Sequence, residues 1–153
     1  MAFTLRCETR HTDTFAATGF VHAGVLLALT ELAYAAAERA AGIVKPVHIV
    51  AVQVRTRAEY VAPLPWQDGA VVEVTTLAAT DRGFTQAFAL RSARTDRLVA
   101  RIEHDWVWMD TAAGRRVTLP EDARTAFLAL NDVEEATPGS GGGTADQHGE
   151  PPS

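Results

Sequence analysis

The most apolar stretch of the chain spans residues 18–42 and predicts a long helix. Between positions 25 and 37, only three residues have polar side-chain atoms, namely Thr30, Glu31 and Tyr34. Alanine, the residue with the highest helix propensity, dominates the second half. Gly42 and Pro46 indicate where the helix ends, because glycine adopts the left-handed cap conformation and proline cannot continue a helix. A helix that is apolar nearly all round is typical of a protein core, so we expect it to be buried.

Glu31 interrupts this apolar helix, and the pattern leaves two interpretations open. An ionised carboxylate inside a protein is costly unless another group holds it there, so a buried Glu31 would indicate a functional site. Alternatively, Glu31 lies with Glu38 on a narrow stripe that faces solvent, since glutamate is rarely fully buried.

Alternating apolar and polar residues predict five β-strands, at residues 2–10, 47–61, 70–80, 84–93 and 98–110. One face of the second strand is expected to hold Val50, Val52, Val54, Ala58 and Tyr60. The other face is expected to hold Gln53, Arg55, Arg57 and Glu59. His104 is expected on the apolar face of the fifth strand. Residues 120–130 predict a short second helix, with Pro120 near its start and acidic residues in its first turn.

This order of elements predicts an α+β fold in which one long central helix is wrapped by a five-stranded antiparallel sheet. The domain is expected to cover residues 1–130. Residues 131–153 consist largely of glycine, proline, serine, threonine and acidic residues, which predicts a disordered tail because there is almost nothing to bury. The exposed edges of a five-stranded sheet usually find a partner, so a homodimer is expected.

Composition narrows the classes of partner and site. The formal net charge of -5 argues against nucleic acid or an anionic membrane as the main partner. Cys7 is the only cysteine, which excludes an intrachain disulfide and a cluster of thiolate metal ligands. His11 and His104 have no partners at metal-binding spacing, so no metal site is expected. The first ten residues lack the apolar run of a signal peptide, which predicts a cytoplasmic protein.

Three short segments resemble the motifs of one enzyme family. Residues 19–24 (GFVHAG) resemble the Gly-x-Val-His start of the family's helix, and residues 29–33 (LTELA) resemble its Leu-x-Glu-x-Ala segment. Residues 59–63 (EYVAP) match the Tyr-x-x-Pro end of the next strand. Weaker matches follow at residues 98–100, 108–110 and 118–120. From residue 3 to 130 the chain therefore resembles the hotdog-fold acyl-CoA thioesterases of the 4-hydroxybenzoyl-CoA thioesterase superfamily.

The resemblance implies thioester hydrolysis and identifies a candidate carboxylate. One class of these enzymes uses an Asp three residues before the glycine of the Gly-x-Val motif, where this chain has Ala16. Asp13 is three residues out of register, and whether it replaces that acid stays open. A second class places Glu or Asp on the helix nine residues after the His, and Glu31 occupies that position. The resemblance thus assigns catalysis to Glu31 and to the backbone N–H of Ala23.

The spacing of these two groups requires a second subunit. A thioester carbonyl becomes an oxyanion when it is attacked, and free N–H groups at a helix N-terminus can stabilise it. Ala23 and Glu31 are eight residues apart in the sequence, which is roughly 12 Å along a helix. One carboxylate cannot reach a carbonyl held that far away. We therefore expect each site to combine Ala23 of one subunit with Glu31 of the other.

The candidates for substrate binding are His22, Gly24, His48, Gln53 and Arg57. Gln53 matches a position where some relatives place a hydroxyl that orients the catalytic water. Arg57, with other arginines, is suited to the phosphates of coenzyme A or of phosphopantetheine. Each candidate also has a structural interpretation, such as a histidine that binds backbone atoms or an arginine on a solvated sheet face.

We expect a hydrolase of acyl-CoA or acyl-carrier-protein thioesters that works as a homodimer or tetramer. Coenzyme A or phosphopantetheine is expected only as part of the substrate, with no separate cofactor. Dual-function relatives in polyketide biosynthesis add an amine such as glycine to the β-carbon of an α,β-unsaturated thioester. Loss of the acid at position 16 would leave room for that second reactant. A non-catalytic module that binds acyl thioesters is the other alternative.

Overall fold

One antiparallel sheet of six strands dominates the computed structural model, which describes residues 2–132 except for the side chain of residue 16. The strands are β1 (Phe3–Cys7), β2 (Ile49–Tyr60), β3 (Ala70–Thr80), β4 (Gly83–Ser92), β5 (Leu98–Asp110) and β6 (Arg115–Val117). Their order across the sheet is β1-β3-β4-β5-β2, and β6 pairs with the end of β5. The five predicted strands are present. The sheet has a sixth strand because the chain reverses at Gly114, whose φ is +65°.

The long helix, α1 (Ala23–Ala40), packs against one face of this sheet. Its buried apolar residues recur every three or four positions and are Leu26, Leu29, Ala33 and Ala37, with Tyr34 beside them. The prediction that this helix is buried all round is wrong for a single protomer, because the sheet covers only one side of it. Leu32 is 57% exposed, and Glu31 is exposed next to it.

The second helix, α2 (Glu121–Ala129), completes the core through an aromatic cluster. Phe127 is completely buried and stacks on Phe84 with 4.2 Å between ring centroids. Tyr34 stacks on Trp106 at 4.4 Å and lies 6.3 Å from Phe127. The cluster therefore joins α1, α2 and the sheet, which explains why so short a helix has a fixed place.

The described chain continues past the predicted domain boundary at residue 130. Asn131 makes two hydrogen bonds to the backbone of Thr76 in β3, accepting from its N–H at 2.8 Å and donating to its carbonyl at 2.9 Å. An asparagine can satisfy a strand in this way because its side-chain amide resembles a peptide group. Residues 133–153, which make up most of the predicted tail, lie outside the described residues.

A β-bulge in β2 changes which side chains face α1. Gln53 pairs with Trp106, but the next pair is Arg55 with Asp105, so Val54 is an extra residue. Cross-strand partners share a face of the sheet. Gln53 pairs with Trp106 and Thr56 pairs with His104, and both of these partners are buried in the core. The predicted assignment of faces is therefore correct on each side of the bulge and wrong across it, because a bulge breaks the two-residue period. Gln53 and Thr56 both lie on the helix side.

β2 is also the outermost strand on its side of the sheet. Within residues 2–132, no strand covers its free edge. Apolar side chains along and just beyond it are partly exposed, with Val54 and Tyr60 both at 49% and Val61 at 48%. Long, apolar edges of this kind tend to pair with another chain.

No helix within the described part of the chain is long and apolar enough to cross a membrane.

Phe127 and its neighbour Leu128 provide a matched test of the aromatic cluster. Phe127→Ala should lower the free energy of unfolding by about 3–5 kcal/mol, because it leaves a cavity among stacked rings. Leu128 is 42% exposed, and Leu128→Ala should change that free energy by only about 0.5 kcal/mol. Urea denaturation of both variants measures the difference. Equal losses would show that α2 is not anchored by Phe127.

Candidate active site

The N-terminus of α1 presents a free backbone donor. His22 is the N-cap residue, and its Nδ1 accepts a hydrogen bond from the N–H of Gly24 at 2.9 Å. The next two N–H groups, of Val25 and Leu26, donate to the carbonyl of His22. The N–H of Ala23 has no acceptor among residues 2–132. It is therefore available to a ligand at the positive end of the helix dipole.

Gly24 allows the capping contact of His22. A Cβ at position 24 would lie 3.0 Å from Nδ1 of His22, which is closer than a carbon and a nitrogen normally approach. A side chain at position 24 would therefore require the imidazole ring to shift by a few tenths of an ångström.

Asp13 supports this helix end through its backbone. Its carbonyl accepts the N–H of His22 at 2.9 Å, and its carboxylate closes the preceding turn by accepting the N–H of Arg10 at 2.7 Å. The N–H of Val21 donates to the carbonyl of Leu64 at 2.8 Å, which ties the segment before α1 to the segment after β2. Asp13 thus has a structural task at this helix end.

An apolar groove of about 300 Å³ opens beside Ala23. The residues that form it with Ala23 come from the two sides of this junction and are Val21, Leu26, Tyr60, Val61, Ala62, Pro63 and Leu64. The groove can bury an alkyl or aryl group while the N–H of Ala23 binds an oxygen at its rim.

Glu31 is exposed on α1, but one of its oxygens is held. Gln53 Nε2 donates to Glu31 Oε1 at 3.1 Å. The interpretation as a solvent stripe shared with Glu38 is only half correct. Glu38 is half-buried, forms an ion pair with Lys45 and accepts the O–H of Tyr34 at 2.6 Å. Burial, together with this hydrogen bond, raises the pKa of Tyr34.

A second group of polar residues leads from the exposed Thr56, next to Gln53, to the buried Thr30 and His104. His104 is completely buried, with Nε2 at 2.7 Å from Thr30 Oγ1 and Nδ1 at 2.9 Å from Thr56 Oγ1. Thr56 Oγ1 is also 3.4 Å from Gln53 Oε1. Burial lowers the pKa of His104, which favours its neutral form. In the sequence, only the position of His104 on the apolar face of its strand indicated this group of polar residues.

The family model of the thioesterase-like superfamily matches residues 2–127 of the chain. The chain belongs to the thioesterase-like superfamily. This match confirms the resemblance found in the short motifs. A comparison with curated proteins gives no match.

Solved structures confirm the hotdog fold of this thioesterase-like protein. Slr0204, a 1,4-dihydroxy-2-naphthoyl-CoA thioesterase from Synechocystis, is similar with a TM-score of 0.71 and 21% identity, over 82% of this chain and 94% of its own. A thioesterase from Thermus thermophilus, complexed with coenzyme A and zinc, is similar with a TM-score of 0.68 and 24% identity. That likeness covers 86% of this chain and 95% of the other.

Two residues that were predicted to bind substrate lie away from Ala23 and its groove within one protomer of the thioesterase-like protein. His48 is exposed at the start of β2, whereas the groove beside Ala23 lies at the other end of that strand. Arg57 lies on the sheet face that points away from α1, where it forms an ion pair with Glu103.

The thiol of Cys7 and the grouping of possible metal ligands are two further features of the thioesterase-like protein. Cys7 is buried, and burial raises the pKa of its thiol, so the nucleophilic thiolate is disfavoured. Within residues 2–132, no three histidine, cysteine, aspartate or glutamate side chains come together as metal ligands.

Substitutions at His22 test the capping contact. His22→Ala removes the acceptor for the Gly24 N–H and should lower the free energy of unfolding by about 1 kcal/mol. Asparagine is among the preferred N-cap residues, so His22→Asn should retain most of that stability. Denaturant titrations compare the two variants. Equal destabilisation by both would show that the imidazole does not cap α1.

Proposed function

We propose that this protein hydrolyses acyl thioesters, of coenzyme A or of an acyl carrier protein, with Glu31 as the group that activates water. The observation that supports this most is that Ala23, whose N–H has no acceptor among residues 2–132, lines an apolar groove. A thioester carbonyl needs such a donor, and its acyl chain needs such a groove. Membership of the thioesterase-like superfamily supports the same reaction class.

The site is divided between two subunits in this proposal. Two copies that pair along the free edge of β2 would form one continuous sheet. A two-fold axis near the middle of β2 places the two α1 helices side by side and antiparallel, because both lie on the same face. Ala23 of one helix then lies beside later turns of the other, which contain Glu31. The same axis places the start of one β2, with His48, next to the end of the other, so His48 remains a candidate for substrate binding.

Hydrolysis then needs three steps. The carbonyl oxygen of the substrate accepts the N–H of Ala23, and the carboxylate of Glu31 removes a proton from a water molecule that attacks the carbonyl carbon. The tetrahedral oxyanion collapses and breaks the carbon–sulfur bond. The thiolate leaves with the proton that Glu31 had taken, which yields a carboxylic acid and a thiol. Gln53 holds Oε1 of Glu31, and Oε2 has no hydrogen-bond partner among residues 2–132.

Glu31→Gln tests this role. Glutamine keeps the shape of the side chain but cannot accept a proton from water, so kcat should fall on the order of 100-fold or more. Thermal denaturation should show that the variant stays folded, because Glu31 is exposed in the protomer. Hydrolysis is followed by the release of free thiol.

Glu73→Gln is the matched control, because Glu73 is exposed on β3, a different element. It should leave kcat unchanged. Normal turnover by Glu31→Gln would contradict the proposed role and favour a module that only binds acyl thioesters.

The dual-function alternative is supported by one observation, namely that alanine occupies position 16, where one class of relatives has an acid. A panel of saturated and α,β-unsaturated thioesters, assayed with and without glycine, separates the two reactions. Hydrolysis of saturated thioesters supports the primary proposal. A β-amino product that forms only with glycine, and that persists in Glu31→Gln, would support addition of an amine and confine Glu31 to the activation of water.

Assembly along β2 is tested by a charge at its exposed edge. Val54→Asp should yield a monomer without activity, because an unpaired carboxylate would be buried where the two strands meet. Val44→Asp is the control, since Val44 is 92% exposed in a loop, and it should remain dimeric and active. Light scattering and turnover are measured together. An active monomer of the unmodified protein would refute the divided site.

A further inference from the structure

A row of polar contacts leads from the buried middle of β5 to the candidate catalytic carboxylate. Its members are Thr30, His104, Thr56, Gln53 and Glu31. The reaction outlined above uses only the last two. A completely buried imidazole is normally kept where both of its nitrogens are satisfied, which is the case for His104.

The hydroxyl protons of this row define the state of His104. Thr30 Oγ1 donates its single proton to the carbonyl of Leu27 at 2.6 Å. Thr30 must therefore accept at its 2.7 Å contact with His104, so Nε2 of the imidazole is protonated. In the neutral ring that burial favours, Nδ1 is then an acceptor, and Thr56 donates to it at 2.9 Å.

The Thr56 hydroxyl cannot also donate to Gln53. Its contact with Gln53 Oε1 is 3.4 Å long, and the single proton goes to the nearer acceptor on His104. The amide of Gln53 therefore lies between two acceptors, the oxygen of Thr56 and the carboxylate of Glu31. While Glu31 is ionised, its charge makes it the stronger acceptor, in agreement with the observed bond from Nε2.

Once Glu31 has taken a proton from water, its carboxyl keeps one acceptor oxygen and gains an O–H donor. Gln53 can then turn its amide, accept from that O–H with Oε1 and donate from Nε2 to Thr56. The lone pairs of Thr56 are free for that bond because its proton is committed to His104.

We propose that Thr56, held by His104 and Thr30, is a positioning residue that allows Gln53 to donate to ionised Glu31 and to accept from the O–H of protonated Glu31. This inference rests on the function proposed above. The bulge at Val54 makes it possible, because without it Gln53 and Thr56 would lie on opposite faces of β2. Since the second arrangement forms only as the proton moves, Thr56 should affect kcat and leave substrate binding unchanged.

Thr56→Val and Thr56→Ser form the matched pair that tests this proposal. Valine has the shape of threonine without the hydroxyl, and it should lower kcat about tenfold with KM unchanged. The thermal midpoint should also fall, because Nδ1 of His104 loses its donor. Serine restores the hydroxyl and should restore kcat. In a Gln53→Ala background, Thr56→Val should have no further effect on kcat, because the residue through which Thr56 acts is gone. Wild-type kcat in Thr56→Val, or a loss that simply adds to that of Gln53→Ala, would overturn the proposal.

A second measurement does not depend on turnover. Nitrogen-15 NMR of the histidine rings, with His104 assigned from a His104→Gln variant, should report a neutral ring with its proton on Nε2. A ring protonated on Nδ1, or on both nitrogens, would overturn the proposed direction of the hydrogen bonds. A failure of the unmodified protein to hydrolyse any thioester would instead reject the proposed function, and the role of Thr56 in it. Turnover that is unaffected by Thr56→Val rejects only the role of Thr56.

Discussion

In the proposed function, the distance between two groups on one rigid helix determines how the site must be built. The N–H of Ala23 lies at the first residue of α1, and Glu31 lies eight residues further along. A helix cannot bend enough to bring both to one carbonyl, since eight residues span roughly 12 Å. The two groups are useful together only if a second helix lies alongside. The apolar free edge of β2 and the uncovered side of α1 are both suited to such a neighbour.

The fold also explains why the N–H of Ala23 has no acceptor within residues 2–132. His22 caps the helix with its own side chain and takes the N–H of Gly24, while the segments around Asp13 and Leu64 hold the helix end in place. The cap therefore satisfies the neighbouring donor and leaves the first one open beside the groove. Additional hydrogen bonds at this helix end would have stabilised the fold but would have occupied the N–H of Ala23.

Much of this fold could be predicted from the sequence, because period-two alternation and a single apolar helix fix the order of the elements. The bounds of β3 and β5 agree with the prediction, and β4 differs by one residue at each end. The short β6 could not be predicted, since three residues give no recognisable period. The burial of α1 was overestimated because composition does not reveal how many sides of a helix are covered.

The candidate site was predicted only in part, because one extra residue in β2, Val54, changes which side chains share a face. Ala23, Glu31 and Gln53 were identified, and the structure places Gln53 against Glu31. Thr56 was missed because strict alternation from Gln53 assigns it to the opposite face. The bulge at Val54 reverses that assignment, and nothing in the local sequence marks it. His104 could be placed on the buried face, but its partners depend on contacts between distant elements.

A complementation experiment tests the divided site most directly. Ala23→Pro deletes only the N–H donor, because proline is well tolerated at the first position of a helix and His22 already has an extended ψ of 142°. Dimers of Ala23→Pro alone and of Glu31→Gln alone should be inactive. If equal amounts are mixed and subunits exchange, one of the two sites in each mixed dimer regains both groups, so about a quarter of the wild-type activity should return. No recovery, with mixed dimers present, would contradict a site shared between subunits.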